Sequence, residues 1–273
     1  MTKLKNKKIL ITGATRGIGR AMALRFAKDG AYIGVLGKTS DPHPKLEGTI
    51  HSVAKEVEDL GGKAVPLQVD LRDENAVKEA VNQFVSHVDG LDILVNNAGA
   101  LNLKDSETIT AKEFDLIMAV NVRATLLMSQ MAIPYLKSSD SAQILSLSPP
   151  LNLESKWIKD HLPYTISKFG MSLVTLGLSQ SLHASHVRVN SLWPKTTIAT
   201  AAVKYNLPPE VLAASRKPQI MADAAYHILN NSDPQNTGHF YIDEEVLRQN
   251  GVSDFSDYAV TEGVDPFEDI YIS

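Results

Sequence analysis

Tyr164 and Lys168 stand four residues apart in Y-T-I-S-K, a spacing that puts both on one face of a helix. A phenol with an unperturbed pKa of about 10 is a poor acid–base catalyst at neutral pH. A nearby ammonium stabilises the phenolate and lowers that pKa. The pair therefore reads as an acid–base couple, and Lys168 could also hold ribose hydroxyls. Taken alone, the same pattern fits an interface tyrosine beside a solvated lysine.

A second site of chemistry lies near the start. T-G-A-T-R-G-I-G, from Thr12 to Gly19, follows an apolar run and precedes an amphipathic one. Strand, glycine-rich turn and helix in that order form the setting a dinucleotide needs. Gly13 permits a tight turn, and Gly17 and Gly19 permit close backbone approach. Ala14, Thr15, Arg16 and Ile18 complete the turn, whose helix N-terminus offers N–H groups to a pyrophosphate. The alternative is a glycine turn needed only for packing.

Charge separates two cofactors. An acidic residue after the second strand would bind a free ribose 2′-OH and repel a 2′-phosphate. Here that strand ends in Gly37, Lys38 and Thr39, and Arg16 sits inside the turn. Both cations could pair with a 2′-phosphate, which favours NADP(H). The alternative is two ordinary surface cations. Asp70, in V-D-L, is either an acceptor for an adenine amino group or a helix N-cap.

These residues need a frame. Apolar runs predict strands at Lys8–Thr12, Ala31–Leu36, Ala64–Val69, Leu91–Val95, Gln143–Ser148, Val187–Trp193 and Gly238–Ile242. Helices are expected at Arg20–Lys28, Thr49–Leu60, Glu74–Val88, near Ala111–Leu136 and at Tyr164–Ala184. Alternation with near-continuous apolar strands implies an α/β, doubly wound parallel (Rossmann) sheet in a single domain over residues 1–250. The acidic C-terminal tail, 251–273, reads as a peripheral flap or a partly disordered segment. The two long helices carry apolar residues on more than one face. They fit either the core alone or a subunit interface, so a homo-oligomer, dimer or tetramer, is expected.

The 273 residues have a net charge of −4 and no dense Lys/Arg block after the first eight residues, so a nucleic-acid footprint is absent. With no cysteine, thiolate catalysis, Cys-ligated zinc and disulfides are excluded. His183 and His186, three apart at a helix end, are read as a solvated end rather than a metal site; none is expected. No run reaches the roughly 18 apolar residues of a membrane span, and the first apolar run is too short for a signal peptide. A cytoplasmic protein is the default expectation.

Together Thr12 to Gly19, Asp70, N-N-A-G at Asn96–Gly99, Asn121 in V-N-V, and Tyr164 with Lys168 resemble the short-chain dehydrogenase/reductase family in order and spacing, over about residues 5–245. The resemblance implies an NADP(H)-dependent oxidoreductase acting on a small carbonyl or alcohol, with an apolar substrate. It implies Tyr164 as proton donor or acceptor, Lys168 tuning it, Asn121 supporting a proton relay, and Asn97 in the wall of the cofactor site. K-T-S-D-P-H-P-K from Lys38 and L-W-P-K-T from Leu192 resemble one branch of that family, whose eukaryotic form adds a sterol-carrier domain; this chain is expected to hold the dehydrogenase domain alone.

Three positions depart from the family pattern. Its serine after the fifth strand, which polarises the substrate carbonyl, aligns with Pro149. Ser148 is one residue early, and a one-residue offset turns a strand side chain to the other face. Either the two prolines bend the chain enough to bring Ser148 in as a catalytic residue, or it is a strand-end hydroxyl. Lys195 replaces the glycine of P-G, leaving Thr196, Thr197 and Thr200 as candidate carboxamide contacts. Asp243, Glu244 and Glu245 replace D-G-G. These changes motivate a second reading, an NADP(H)-binding scaffold with little or no catalysis. His43, Trp157 and Trp193 are read either as lining a substrate pocket or as ordinary loop and core residues.

Overall fold

The computed structural model describes residues 4–272. Among them the sheet has seven parallel strands in the order β3-β2-β1-β4-β5-β6-β7. These are β1 Lys8–Thr12, β2 Tyr32–Gly37, β3 Lys63–Gln68, β4 Ile93–Asn96, β5 Gln143–Ser146, β6 Arg188–Trp193 and β7 Phe240–Ile242. Each expected strand is present, with no end shifted by more than two residues. β5 leaves the ladder before Ser148, although Leu147 still donates its N–H to the Asn96 carbonyl at 2.9 Å.

Helices α1 Gly17–Ala27, α2 Ile50–Asp59 and α3 Glu74–Val88 fill the first half. Two separate cores explain the layering. Ile9 and Ile11 of β1 pack with Met22, Phe26, Val53 and Val57 on one face. Leu10, between them, packs with Val77, Phe84 and Met128 on the other. Alternate side chains of one strand thus feed both cores, as a sheet covered on both faces requires.

The long helix expected near Ala111–Leu136 is three segments: α4 Ala111–Ile117, a π-helical turn Met118–Arg123, and α5 Ala124–Leu136. By length and composition alone this stretch of 26 residues is apolar enough to cross a membrane, its most apolar window having a mean hydropathy of 1.5, although charged and polar residues interrupt any continuous apolar run. Leu127, Met128, Ala132 and Leu136 are nevertheless buried against the sheet. Next come α6 Ser155–Ile158, α7 Leu162–Ser181, α8 Ala201–Asn206, α9 Pro209–Ala213, α10 Gln219–Leu229 and α11 Asp243–Gln249.

The segment after residue 250 does not hang free. Thr197 N–H donates to Phe267, and Asp269 N–H donates to Lys195, each at 2.9 Å. Tyr271 is 1% exposed and packs against Phe169, Trp193 and Trp157 at centroid distances of 5.1, 5.9 and 6.3 Å. Aromatic burial of this size fixes the segment against β6 and α7.

Candidate active site

At the carboxyl ends of the strands, where β1 has β2 on one side and β4 on the other, lies a cavity of about 980 Å³. This reversal of strand order is where open α/β sheets bind ligands. Its walls include Gly13, Thr15, Arg16, Gly17 and Ile18 of the glycine turn, Lys38, Asp70, Asn97, Tyr164 and Lys168. Residues from positions 13 to 168 therefore meet in one space.

The turn is shaped for close approach by a ligand. Gly13 and Gly17 have φ of +64° and +54°, which favour glycine. Neither a capping side chain nor a first-turn acid occupies the N-terminus of α1, and the Arg16 Nε is buried without a partner. A Cβ on Gly19 would lie 2.4 Å from Asn97 Nδ2. Asn97 donates that amide to the Thr12 and Gly13 carbonyls at 2.8 and 3.1 Å, tying the end of β4 to the turn. The open helix N-terminus, bare glycine wall and orphan guanidinium nitrogen fit a dinucleotide phosphate. Two residues read as cofactor contacts stand behind the wall instead. Ala14 is buried and donates its N–H to Leu36, and Gly19 is consumed by packing.

The far end carries Arg16, Lys38 and Arg72 against one carboxylate, Asp70. Asp70 pairs with Lys38 at 3.1 Å and Arg72 at 2.6 Å. The Arg72 hydrogen bond, followed by Lys38, holds its carboxyl well below the usual range. Arg16 reaches across to Thr39 Oγ1 at 2.9 Å, and burial lowers its pKa. Arg72 was not anticipated, although it stands two residues after Asp70.

Tyr164 and Lys168 lie on the first turns of α7 and are buried at the opposite end. Lys168 Nζ donates to the Leu147 carbonyl at 2.5 Å and lies 5.0 Å from the Trp193 ring centroid. Burial pulls its pKa down to about 7, opposed by Asp269. The Tyr164 phenol is pushed well above its ordinary value by burial, then by Tyr271 and Asp269. The expected lowering by Lys168 is thus absent in the free protein, because desolvation of the phenolate dominates.

Asn121 occupies the π-helical turn, a feature often found at functional sites. Its Oδ1 accepts from Ala100 N at 2.8 Å, and its Nδ2 donates to Ala100 O at 3.1 Å and Ser167 Oγ at 2.9 Å. Ser167 in turn donates to the Tyr164 carbonyl at 2.8 Å. Asn121 is therefore a brace between the β4 loop and α7, behind the cavity wall.

Ser148 is not brought in by the prolines. It is fully buried, its Oγ has no partner, and it does not line the cavity, whereas its neighbour Leu147 does. Alternation along the chain survives past the strand end. Thr197 and Thr200 line the cavity and Thr196 does not; Trp193 lines it, while Trp157 packs on Tyr271 and His43 is exposed outside it. Among the described residues no group of three or more His, Asp or Glu is placed to hold a metal. Sequence reasoning missed His161 and Asp269, both in the wall beside Tyr164.

A profile of the short chain dehydrogenase family matches residues 7–210. The chain is similar to hydroxysteroid dehydrogenase-like protein 2 of Xenopus laevis, 49% identical over 270 residues. That match covers 99% of this chain and 64% of the relative, so the chain spans under two-thirds of its length. Among solved structures, a short chain dehydrogenase from Mycobacterium thermoresistibile superposes with a TM-score of 0.92 at 43% identity, covering 99% and 96% of the two chains. More distant structures hold different cofactors. A short chain dehydrogenase from Burkholderia cenocepacia is in complex with NADP (TM-score 0.76, 27% identity, 88% and 97% covered). An NADH-dependent reductase is complexed with NAD (TM-score 0.72, 25%, 89% and 97%).

Proposed function

The chain belongs to the short chain dehydrogenase family, and from that premise we propose that it is an NADP(H)-dependent oxidoreductase acting on an apolar carbonyl or alcohol. The observation that carries this reading is the shared cavity, with Tyr164 and Lys168 at one end and the glycine turn with Arg16 at the other. NADP is favoured over NAD because Lys38 and Arg72 already neutralise the one carboxylate at this end, Asp70, and Arg16 adds a third cation to the same wall. Leu101, Leu103, Leu116, Val120, Leu207 and Phe267 give the rest of the wall its apolar character.

Bound in this cradle, the cofactor would exchange a hydride with the substrate carbon. Tyr164 gives or takes the proton at the substrate oxygen. Lys168, as an ammonium, stabilises the phenolate left behind and offers N–H groups to ribose hydroxyls. Asn121 holds α7 at the height this requires, through Ser167. A panel of ketones, aldehydes and alcohols, run with NADPH and NADP⁺, tests the assignment. Turnover with NADPH, lost in Tyr164→Phe, is the expected result.

One observation favours a second reading. Pro149 offers no side-chain donor and Ser148 faces away from the cavity, which suits an NADP(H)-binding scaffold. Tight NADPH binding with no turnover on any compound would select it. A homo-oligomer is also proposed, supported by exposed Leu126, Ile166, Leu173 and Leu176 on α5 and α7. Light scattering on the purified chain checks its mass.

A further inference from the structure

The cavity wall beside Tyr164 is nearly bare of uncommitted donors. The Thr197 hydroxyl is shared with Ser215 at 2.9 Å, and the Trp193 indole N–H is given to the Ile270 carbonyl at 3.0 Å. Lys168 gives one N–H to the Leu147 carbonyl, and in the reading above its others serve the phenolate and the cofactor ribose. His161 has its Nδ1 on the Leu103 carbonyl at 2.7 Å. Asp269 differs. Its Oδ1 accepts from its neighbour Ile270 N at 2.7 Å, and its Oδ2 has no partner among the described residues. It lines the same cavity as Tyr164 and Lys168.

The position of Asp269 is fixed from both sides. Its N–H is bonded to Lys195, and Phe267 accepts from Thr197 two residues earlier. Ile270 accepts from Trp193 one residue later, and Tyr271 is buried in the aromatic cluster. A carboxyl held by backbone bonds to the β6 loop in the wall of the cavity that Tyr164 and Lys168 line is preorganised.

We propose that Asp269 is a second catalytic group, whose free carboxyl oxygen hydrogen-bonds the substrate oxygen on which Tyr164 acts. This rests on the oxidoreductase reading above. Only the acid form can donate, so Asp269 must keep its proton throughout the reaction. Its surroundings favour that form. Burial pushes its pKa up to about 7; the Ile270 N–H opposes the shift, Asp243 adds to it, and Lys168 opposes it. Tyr164 and Tyr271 also face it. A carboxylic acid kept neutral by its site is a known way to stabilise a developing oxyanion. Asp269 would thus supply the polarising contact that Ser148 is turned away from giving.

The test compares the full chain with Asp269→Ala and Asp269→Asn, using NADPH and phenanthrenequinone, a neutral aromatic diketone. Loss of one oxyanion donor costs about 100-fold or more in kcat, so Asp269→Ala is expected to fall by that order. Asp269→Asn keeps an N–H donor and should stay within a few-fold of the parent. NADPH affinity should be unchanged in both. Parent-like activity in Asp269→Ala, or Asp269→Asn as slow as Asp269→Ala, overturns the proposal. Failure of the parent to reduce the diketone counts against the oxidoreductase reading instead. Asp269 is then judged by ¹³C NMR of its carboxyl carbon in the NADP⁺-bound chain, assigned by its loss in Asp269→Asn. A midpoint near neutrality supports it, and an ordinary one near about 3.9 overturns it.

Discussion

Lys168 donates its ammonium to the carbonyl of Leu147 at 2.5 Å, pinning the second turn of α7 to the chain leaving β5. The bond holds a cation in a dry place, and burial pulls its pKa down to about 7. The unfolded chain keeps a lysine near 10.4. Between about pH 7 and 10 the unfolded state therefore binds the extra proton, and stability rises with pH through that window. Lys168→Met removes this contribution. Its stability advantage over the parent, read by urea denaturation, should shrink as pH is raised from about 7 to 10. A difference that stays flat would show that the buried lysine keeps its charge.

Tyr164→Phe removes the phenolic oxygen and keeps the ring. Proton transfer by a positioned side chain contributes about 10²–10⁴-fold, so NADPH oxidation should drop by at least that order. The turn that would hold the cofactor phosphates is untouched, and NADPH affinity by fluorescence should barely move. Full activity in the variant would remove Tyr164 from the mechanism.

What could be read beforehand was local. The glycine turn, the strand–helix alternation and the helix Glu74–Val88 depend on periodicity and caps within a few residues, and Asp73 does cap α3. The helix Gln219–Leu229 went unread, having no side-chain cap to mark its start. The facing of Ser148 depends on how the chain leaves the sheet, which two prolines leave open in one dimension. Asp269 could not be found at all. Its neighbourhood to Lys168 spans about a hundred residues, and in sequence it is one acid among several.

Cofactor choice should follow Arg16 more than Lys38. Lys38 is 71% exposed at its side chain and already paired with Asp70, where a surface charge acts weakly and is screened by salt. Arg16 is half-buried against Thr39 and Gly48. Hydrogen bonds to charged groups contribute about 1.5–3 kcal/mol, so Arg16→Ala should cost roughly 10- to 100-fold in NADPH affinity. Lys38→Asp should weaken NADPH more than NADH, with the gap closing at high salt. Equal loss of both cofactors in either variant would remove that residue from the 2′-phosphate site.

Gly19→Ala tests the packing under the turn. The added Cβ would fall 2.4 Å from Asn97 Nδ2 and 2.5 Å from the Gly13 carbonyl. The carbonyl is backbone and cannot swing away, and Asn97 would have to give up its bonds to the turn. Overpacking of this kind costs about 1–3 kcal/mol. Thermal unfolding should come several degrees earlier, and dinucleotide binding should weaken as well, because the clash lies directly beneath the phosphate wall. An unchanged Tm with intact binding would show that the turn yields more easily than this geometry implies.

Tyr271 is the anchor of the segment that carries Asp269. Its ring fills the space between Phe169, Trp193 and Trp157, and its hydroxyl lies 3.1 Å from Thr165 Oγ1. Truncating a buried aromatic to alanine costs about 3–5 kcal/mol. Here the loss can be met by releasing residues 264–272 alone, since the ring is their buried anchor and what would remain are bonds to Lys195, Thr197, Ala214 and the Trp193 indole. Tyr271→Ala should therefore open a protease-sensitive site in that segment while the sheet melts close to the parental temperature. Substrate turnover should fall with NADPH affinity retained. Tyr271→Phe keeps the ring and loses one hydrogen bond, about 0.5–1.5 kcal/mol, so the segment should stay closed. Limited proteolysis with mass spectrometry reads both variants, and parental protection of Tyr271→Ala would mean that the backbone bonds hold the wall without the ring.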